Sequence, residues 1–160
     1  MDVFITSTTY GQWLLGDKRG FVGHVDGRIN NKFDEPYDAD VAWLRKYSKD
    51  QLKGEPVLLN AEQAGMLLEQ FRQTVEYRGW TMYGVAIMPN HFHILLEVPD
   101  DADVAKVAKD LKSYGSRRLN AVFGKPDSGT WWTQSSSARR KKASSIPYLI
   151  RYMKEPQYDE

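Results

Sequence analysis

At 160 residues, 41% of them apolar, the chain has the size of one ordinary domain over residues 1–160 and enough hydrophobic matter for a core. Cysteine is absent, which excludes disulfides and thiolate metal sites; no run of about 18 apolar residues reads as a membrane span; and Met1-Asp2-Val3-Phe4 lacks the basic start of a secretory leader, so a cytoplasmic location is expected. The net charge of +1 hides an asymmetry: residues 106–142 carry ten Lys/Arg against two acids, Asp110 and Asp127, the pattern of a phosphate-binding face or of a solvated surface balanced elsewhere.

Val3 to Thr8 alternates apolar and hydroxyl side chains and is β-branched, which predicts a strand. Residues 16–56 are rich in Gly, Asp, Asn and Pro and read as a long loop, with a short helix near Val41–Tyr47. Asn60 and Gln63 stand in capping-box positions, Ala64, Leu67, Leu68, Phe71 and Val75 recur at helical spacing, and Gly79 ends that helix. Trp80–Met88 and His91–Val98 read as strands joined at Pro89-Asn90 into a hairpin. Asp100, Asp101 and Asp103 precede a second helix whose apolar stripe is read as Val104, Val107, Leu111, Tyr114 and Val122. Thr130–Gln134 reads as a fourth strand and Ser135–Lys142 as a flexible polar segment. A last helix follows Ser144 or Ser145, with Pro147 tolerated in its first turn. The order strand, helix, strand, strand, helix, strand, helix predicts an α+β ferredoxin-like sandwich, an antiparallel sheet with helices on one face plus an extra C-terminal helix.

His91 and His93 are separated by one residue, and on a strand residues i and i+2 share a face. Both imidazoles then converge on one point, while Phe92 turns to the opposite face with Ile94 and Leu96. Such a pair suits a metal ion. Two solvated or hydrogen-bonded histidines are the plainer alternative. In the last helix Ile146, Leu149, Ile150 and Met153 form the buried stripe, and Tyr148, Tyr152 and Glu155 fall on another face. Trp131 and Trp132 suit either base stacking or core packing.

Met88-Pro89-Asn90-His91-Phe92-His93-Ile94-Leu95-Leu96 resembles the Met-Pro-Asn-His-x-His-hydrophobic block of the insertion-sequence 200/605 family and of REP-associated tyrosine transposases, members of the HUH class of nucleases. Phe4-Ile5-Thr6 with Tyr10-Gly11-x-Trp13-Leu14-x-Gly16-Asp17-x-Arg19-Gly20 resembles the opening of these proteins. Leu111-Lys112-Ser113 with Arg117-Arg118-Leu119 is similar to their second helix, and Trp132-Thr133 to their Trp strand.

The resemblance implies a single tyrosine nucleophile on the C-terminal helix, which maps to Tyr152, with Tyr148 as the rival. It implies a divalent cation, Mg²⁺ or Mn²⁺, on His91, His93 and a polar residue about one turn after the tyrosine, which maps to Gln157. Pro156 departs from a regular helix there, and Glu155 is the alternative ligand. The implied reaction is cleavage and rejoining of single-stranded or hairpin DNA through a 5′-phosphotyrosine, with Lys106, Lys109, Lys112, Arg117, Arg118, Arg139 and Arg140 as candidate DNA contacts. It also implies a possible homodimer in which the tyrosine helix serves either its own or the partner's metal site. A domesticated or inactive relative that binds hairpin DNA without transposition is the other reading of the same residues.

Overall fold

The computed structural model describes residues 1–11, 24–25, 28–29, 55–134 and 136–154, with the backbone alone at 24, 25, 28 and 29. In chain order these form β1 (Asp2–Thr8), β2 (His24–Val25), β3 (Arg28–Ile29), α1 (Ala61–Arg78), β4 (Thr81–Met88), β5 (His91–Glu97), α2 (Val104–Phe123), β6 (Ser137–Lys141) and α3 (Ile146–Lys154). One 3₁₀ turn, Ala143–Ser145, leads into α3. The main sheet is antiparallel throughout, in the order β4-β5-β1-β6, so β1 and β5 are its central strands. This is the ferredoxin-like α+β arrangement expected from the element order. Among the described residues β2 and β3 pair with each other, a short ladder within the stretch read as irregular. The helix expected at 41–47 lies outside the described residues.

Period-two alternation gives the sheet two different faces. Val3 and Ile5 of β1 and Phe92, Ile94 and Leu96 of β5 are fully buried under α1 and α2 in the main core. Phe4, Thr6 and Thr8 stand opposite Leu95, His93 and His91 on the other face, where α3 docks through Leu149 and Met153 on Leu95, flanked by Phe4 and Ala86.

Local chemistry sets the helix ends. Asn60 Oδ1 accepts from the Gln63 amide at 2.8 Å while Gln63 Oε1 accepts from the Asn60 amide at 3.0 Å, a complete capping box. Gly79 closes α1 in the left-handed region at φ 73°, which a side chain would oppose. Asp103 caps α2 by accepting from the amides of Ala105 and Lys106.

The buried stripe of α2 keeps Val107 and Leu111 of the expected set but not Tyr114 or Val122. It runs through Val107, Ala108, Leu111, Gly115 and Leu119, and Val122 is 53% exposed. Small residues make the difference. A Cβ on Gly115 would lie 2.6 Å from Leu67 Cδ1, so α1 approaches where α2 has no side chain.

The fourth strand also differs from expectation. β6 is Ser137–Lys141, within the segment read as flexible, and it pairs with β1 from Asp2↔Lys141 to Thr6↔Ser137. Thr130–Gln134 contributes only an isolated bridge, Thr9↔Trp132. Adjacent strand residues point to opposite faces, yet Trp131 and Trp132 are both 4% exposed and both in the main core. Trp131 Nε1 donates to Asn120 Oδ1 at 2.8 Å and Trp132 Nε1 to Ser116 Oγ at 2.9 Å, so both indoles are tied to α2 and unavailable for base stacking. The strand that replaces this segment is polar because it is an edge, where basic side chains are usual.

Candidate active site

His91 and His93 lie side by side on β5, 2% and 4% exposed, with ring centroids 4.8 Å apart. The spacing of the sequence therefore does what strand geometry requires, and Phe92 packs behind the pair against Phe71 and Trp132. Each ring is oriented by a neighbour. His91 Nδ1 is 2.6 Å from Asn90 Oδ1, to which it donates, and His93 Nδ1 is 2.8 Å from Thr6 Oγ1. Asn90 is itself locked into the β4–β5 turn, because its carbonyl accepts from the Thr9 amide at 2.9 Å. Phe4 stacks on His93 at 5.4 Å with an interplanar angle of 16°.

Helix α3 brings Tyr152 to the same place. Its ring centroid is 5.5 Å from that of His93 in the same chain. Tyr148, one turn earlier, stacks on Tyr152 at 6.4 Å and is 64% exposed. The geometry separates the two tyrosines: Tyr152 contacts a histidine ring, and Tyr148 reaches it only through Tyr152. Partial burial pushes the Tyr152 phenol above its usual pKa, and the adjacent Tyr148 adds to the shift.

Gly84 determines how closely α3 can lie. It sits opposite Leu95 next to the β4 bulge, and a Cβ there would stand 2.7 Å from Met153 Cε. The sequence by itself assigns no site role to Gly84, Thr6 or Phe4. The period-two reading of β1 carried a signal for the last two, since it places Phe4, Thr6 and Thr8 on one face.

The donor set fits a divalent cation. Metal-binding histidines are commonly held through one ring nitrogen so that the other presents its lone pair. Here Nδ1 of each ring is engaged by Asn90 or Thr6, which assigns any coordination to Nε2. Among the described residues no third His, Asp or Glu joins them. Gln157 and the alternative Glu155 lie outside the described residues.

The basic residues separate into groups. Lys109, Lys112 and Arg117 line a groove beside α2, on the helix side of the sheet. Lys106 is exposed outside that groove. Arg118 faces α1, 3.5 Å from Glu69 Oε2. On β6, Arg139 stands opposite Phe4 on the histidine face, and Arg140 opposite Val3 on the helix face.

A family model for IS200-like transposases matches residues 36–156. No curated protein matches the chain. Among solved structures, a candidate transposase from Deinococcus radiodurans R1 is similar with a TM-score of 0.55 at 15% identity, over 95% of this chain and 87% of that one. A REP-associated tyrosine transposase bound to a REP hairpin is similar with a TM-score of 0.54 at 11% identity; 95% of this chain aligns, and it spans 63% of that chain. At such identities the two structures speak for the fold.

Proposed function

For this chain, which belongs to the IS200-like transposase family, we propose metal-dependent cleavage and rejoining of single-stranded or hairpin DNA, with Tyr152 as nucleophile and His91 and His93 as metal ligands. The observation that carries the reading is the Tyr152 ring, 5.5 Å from the ring of His93, beside a second histidine on the same strand. The hairpin held by one similar structure supports DNA of that form as the substrate.

The reaction balances on residues of this chain. Tyr152 Oη forms a bond to the scissile phosphorus as the bond to the 3′ oxygen breaks. The phenol proton is released to solvent, and the departing 3′ oxygen takes one up. The 5′ end stays on Tyr152 as a phosphodiester, so a 3′-OH can attack it later and rejoin the strand with no external energy source. A bound divalent cation supplies positive charge beside the phosphate and lowers the energy of the developing negative charge. Burial holds the Tyr152 phenol above its usual pKa, so the phenol reaches the phosphate with its proton on. His91 and His93 would hold the cation through Nε2, and Gln157 or Glu155, the ligands implied by the family resemblance, would add an oxygen donor. Mg²⁺ or Mn²⁺ suits two imidazoles plus oxygen donors with open positions. Asn90 and Thr6 fix the rings, and Arg139 adds a cation to the face that receives the DNA.

The test is a covalent adduct. The protein is incubated with end-labelled single-stranded hairpin DNA and Mn²⁺, then resolved under denaturing conditions. A labelled protein band is expected with the parent chain and with Tyr148→Phe, and none with Tyr152→Phe or without Mn²⁺. An adduct surviving Tyr152→Phe would overturn the assignment.

A further inference from the structure

We propose that the groove beside α2 is a second DNA-binding site, which holds the phosphates of the single strand flanking the cut and passes that strand over the edge of β6 to the histidine face. The inference rests on the strand-cleaving reading for its substrate, but its own support is independent of the histidine–tyrosine site.

The groove encloses about 1210 Å³ between α2 and residues of the 128–134 and 136–138 stretches. Small-molecule pockets are usually about 300–1,000 Å³, and this trough is larger, so it suits a length of chain better than a compact ligand. Its charge is of one sign. Lys109, Lys112 and Arg117 line it, the other polar groups are hydroxyls and amides such as Ser116, Thr133 and Ser136, and no Asp or Glu lines it among the described residues.

Lys112 is the informative residue. Its ammonium is drawn inward to donate to the Thr133 carbonyl and to Ser136 Oγ, both at 2.9 Å and both neutral. Burial lowers its pKa to about 8, with no carboxylate to offset the loss of water. A partly buried cation lacking an acidic partner is costly, and a phosphate oxygen in the groove supplies the missing charge. Arg117, stacked over the Tyr114 ring at 4.9 Å, is held ready at the rim.

The shape favours a single strand. Proteins that read duplex DNA push a helix or ribbon into its groove. This surface is recessed and basic, as in proteins that track a single-stranded backbone. The exit is also built in. Among the described residues β6 is the edge strand of the sheet, with no strand beyond it. Ala138 lines the groove, and the next residues alternate: Arg139 faces the histidine side, Arg140 the helix side. A strand crossing this edge meets a cation on each face.

The test compares two charge-matched double variants, one in the groove and one outside it. Each is made in a Tyr152→Phe background and assayed in EDTA, so that no cutting occurs. Anisotropy with a labelled single-stranded oligonucleotide is measured across a salt series. Lys109→Ala with Arg117→Ala is expected to lose about ten-fold or more in affinity and to flatten the salt slope by about 1.4, the value for two phosphate contacts on a single strand. Arg72→Ala with Lys125→Ala, both exposed and outside the groove, is expected to lose less than about three-fold.

A pH series adds a second readout. The titratable groups lining the groove with Lys112 are Lys109 and Arg117 on α2 and Tyr10 after β1. Phosphate favours the charged amine, so affinity should fall as pH rises above 8, and Lys112→Met should lack that fall. Equal losses from the two double variants, tighter binding of a matching duplex, or the same pH profile in Lys112→Met would each overturn the groove. The two readings fail separately. An adduct that forms normally while the double variants behave alike removes the groove and leaves the cutting site; a groove effect with an adduct that survives Tyr152→Phe does the reverse.

Discussion

Gly84 is the point at which the position of the tyrosine can be changed with little effect on the main core. Its missing Cβ would lie 2.7 Å from Met153 Cε, whereas ordinary contact begins at 3.4 Å, so alanine needs a shift of at least 0.7 Å. The methionine tip is flexible enough to provide that shift, and Gly84→Ala should be nearly silent. Gly84→Val projects further and overpacks the cluster of Leu95, Leu149 and Met153. Overpacking costs about 1–3 kcal/mol, while a β-branched residue on a strand recovers up to about 1 kcal/mol relative to glycine. At roughly 2–4 °C per kcal/mol for a chain of this size, melting should fall by only a few degrees. The cheapest relief is for α3 to lift, because it rests on the sheet through few buried side chains, and this lift carries Tyr152 away from His93. A misplacement of about 1 Å in a reacting group costs on the order of 100-fold in rate. Gly84→Val should therefore slow adduct formation about that much, measured as the initial rate of covalent labelling alongside a thermal melt. Removing the obstructing side chain with Met153→Ala in the same chain should restore most of the rate. An unchanged rate in Gly84→Val, or no recovery in the double variant, would show that α3 does not set the approach of Tyr152.

Other outcomes follow from the same geometry. Thr6→Val keeps the shape of residue 6 but removes the hydroxyl 2.8 Å from His93 Nδ1. Mn²⁺ affinity, measured by calorimetric titration of the protein alone, should fall about 10–100-fold; an unchanged affinity would mean that Thr6 does not orient a ligand. Because Tyr152 lies on His93 of its own chain, a mixture of His93→Ala and Tyr152→Phe chains should form no adduct, whereas recovered labelling would mean that the tyrosine helix serves a partner. For Lys112, the folded pKa near 8 lies below the ordinary value of 10.5. Between these pH values the folded state binds fewer protons than the unfolded one, so folding stability should rise with pH there. The melting temperature of the parent chain should gain on that of Lys112→Met from pH 8 to pH 10, and a constant difference would refute the burial of a charged amine.

Legibility in the sequence followed the range of the interactions involved. The helix caps at Asn60 and Gly79 are local chemistry, and the convergence of His91 and His93 follows from the pleat of any strand, so these were readable from neighbouring residues. The topology was readable as well, because the element order leaves few ways to bury four strands and two helices. Residues 130–142 were misread because their roles depend on distant partners. Asn120 and Ser116 draw both indoles onto α2, and the exposed backbone edge of β1 recruits a basic segment with almost no apolar signal of its own.

Gly115 and Gly84 carry no pattern at all, yet each marks where another element comes closest. The identity of the tyrosine belongs in part to both levels. The sequence places Tyr148 and Tyr152 on one helical face, and only the docking of α3 through Leu149 and Met153 sets one of them against His93. Local periodicity determines which way a side chain points along its own element, and packing between elements determines what it meets there.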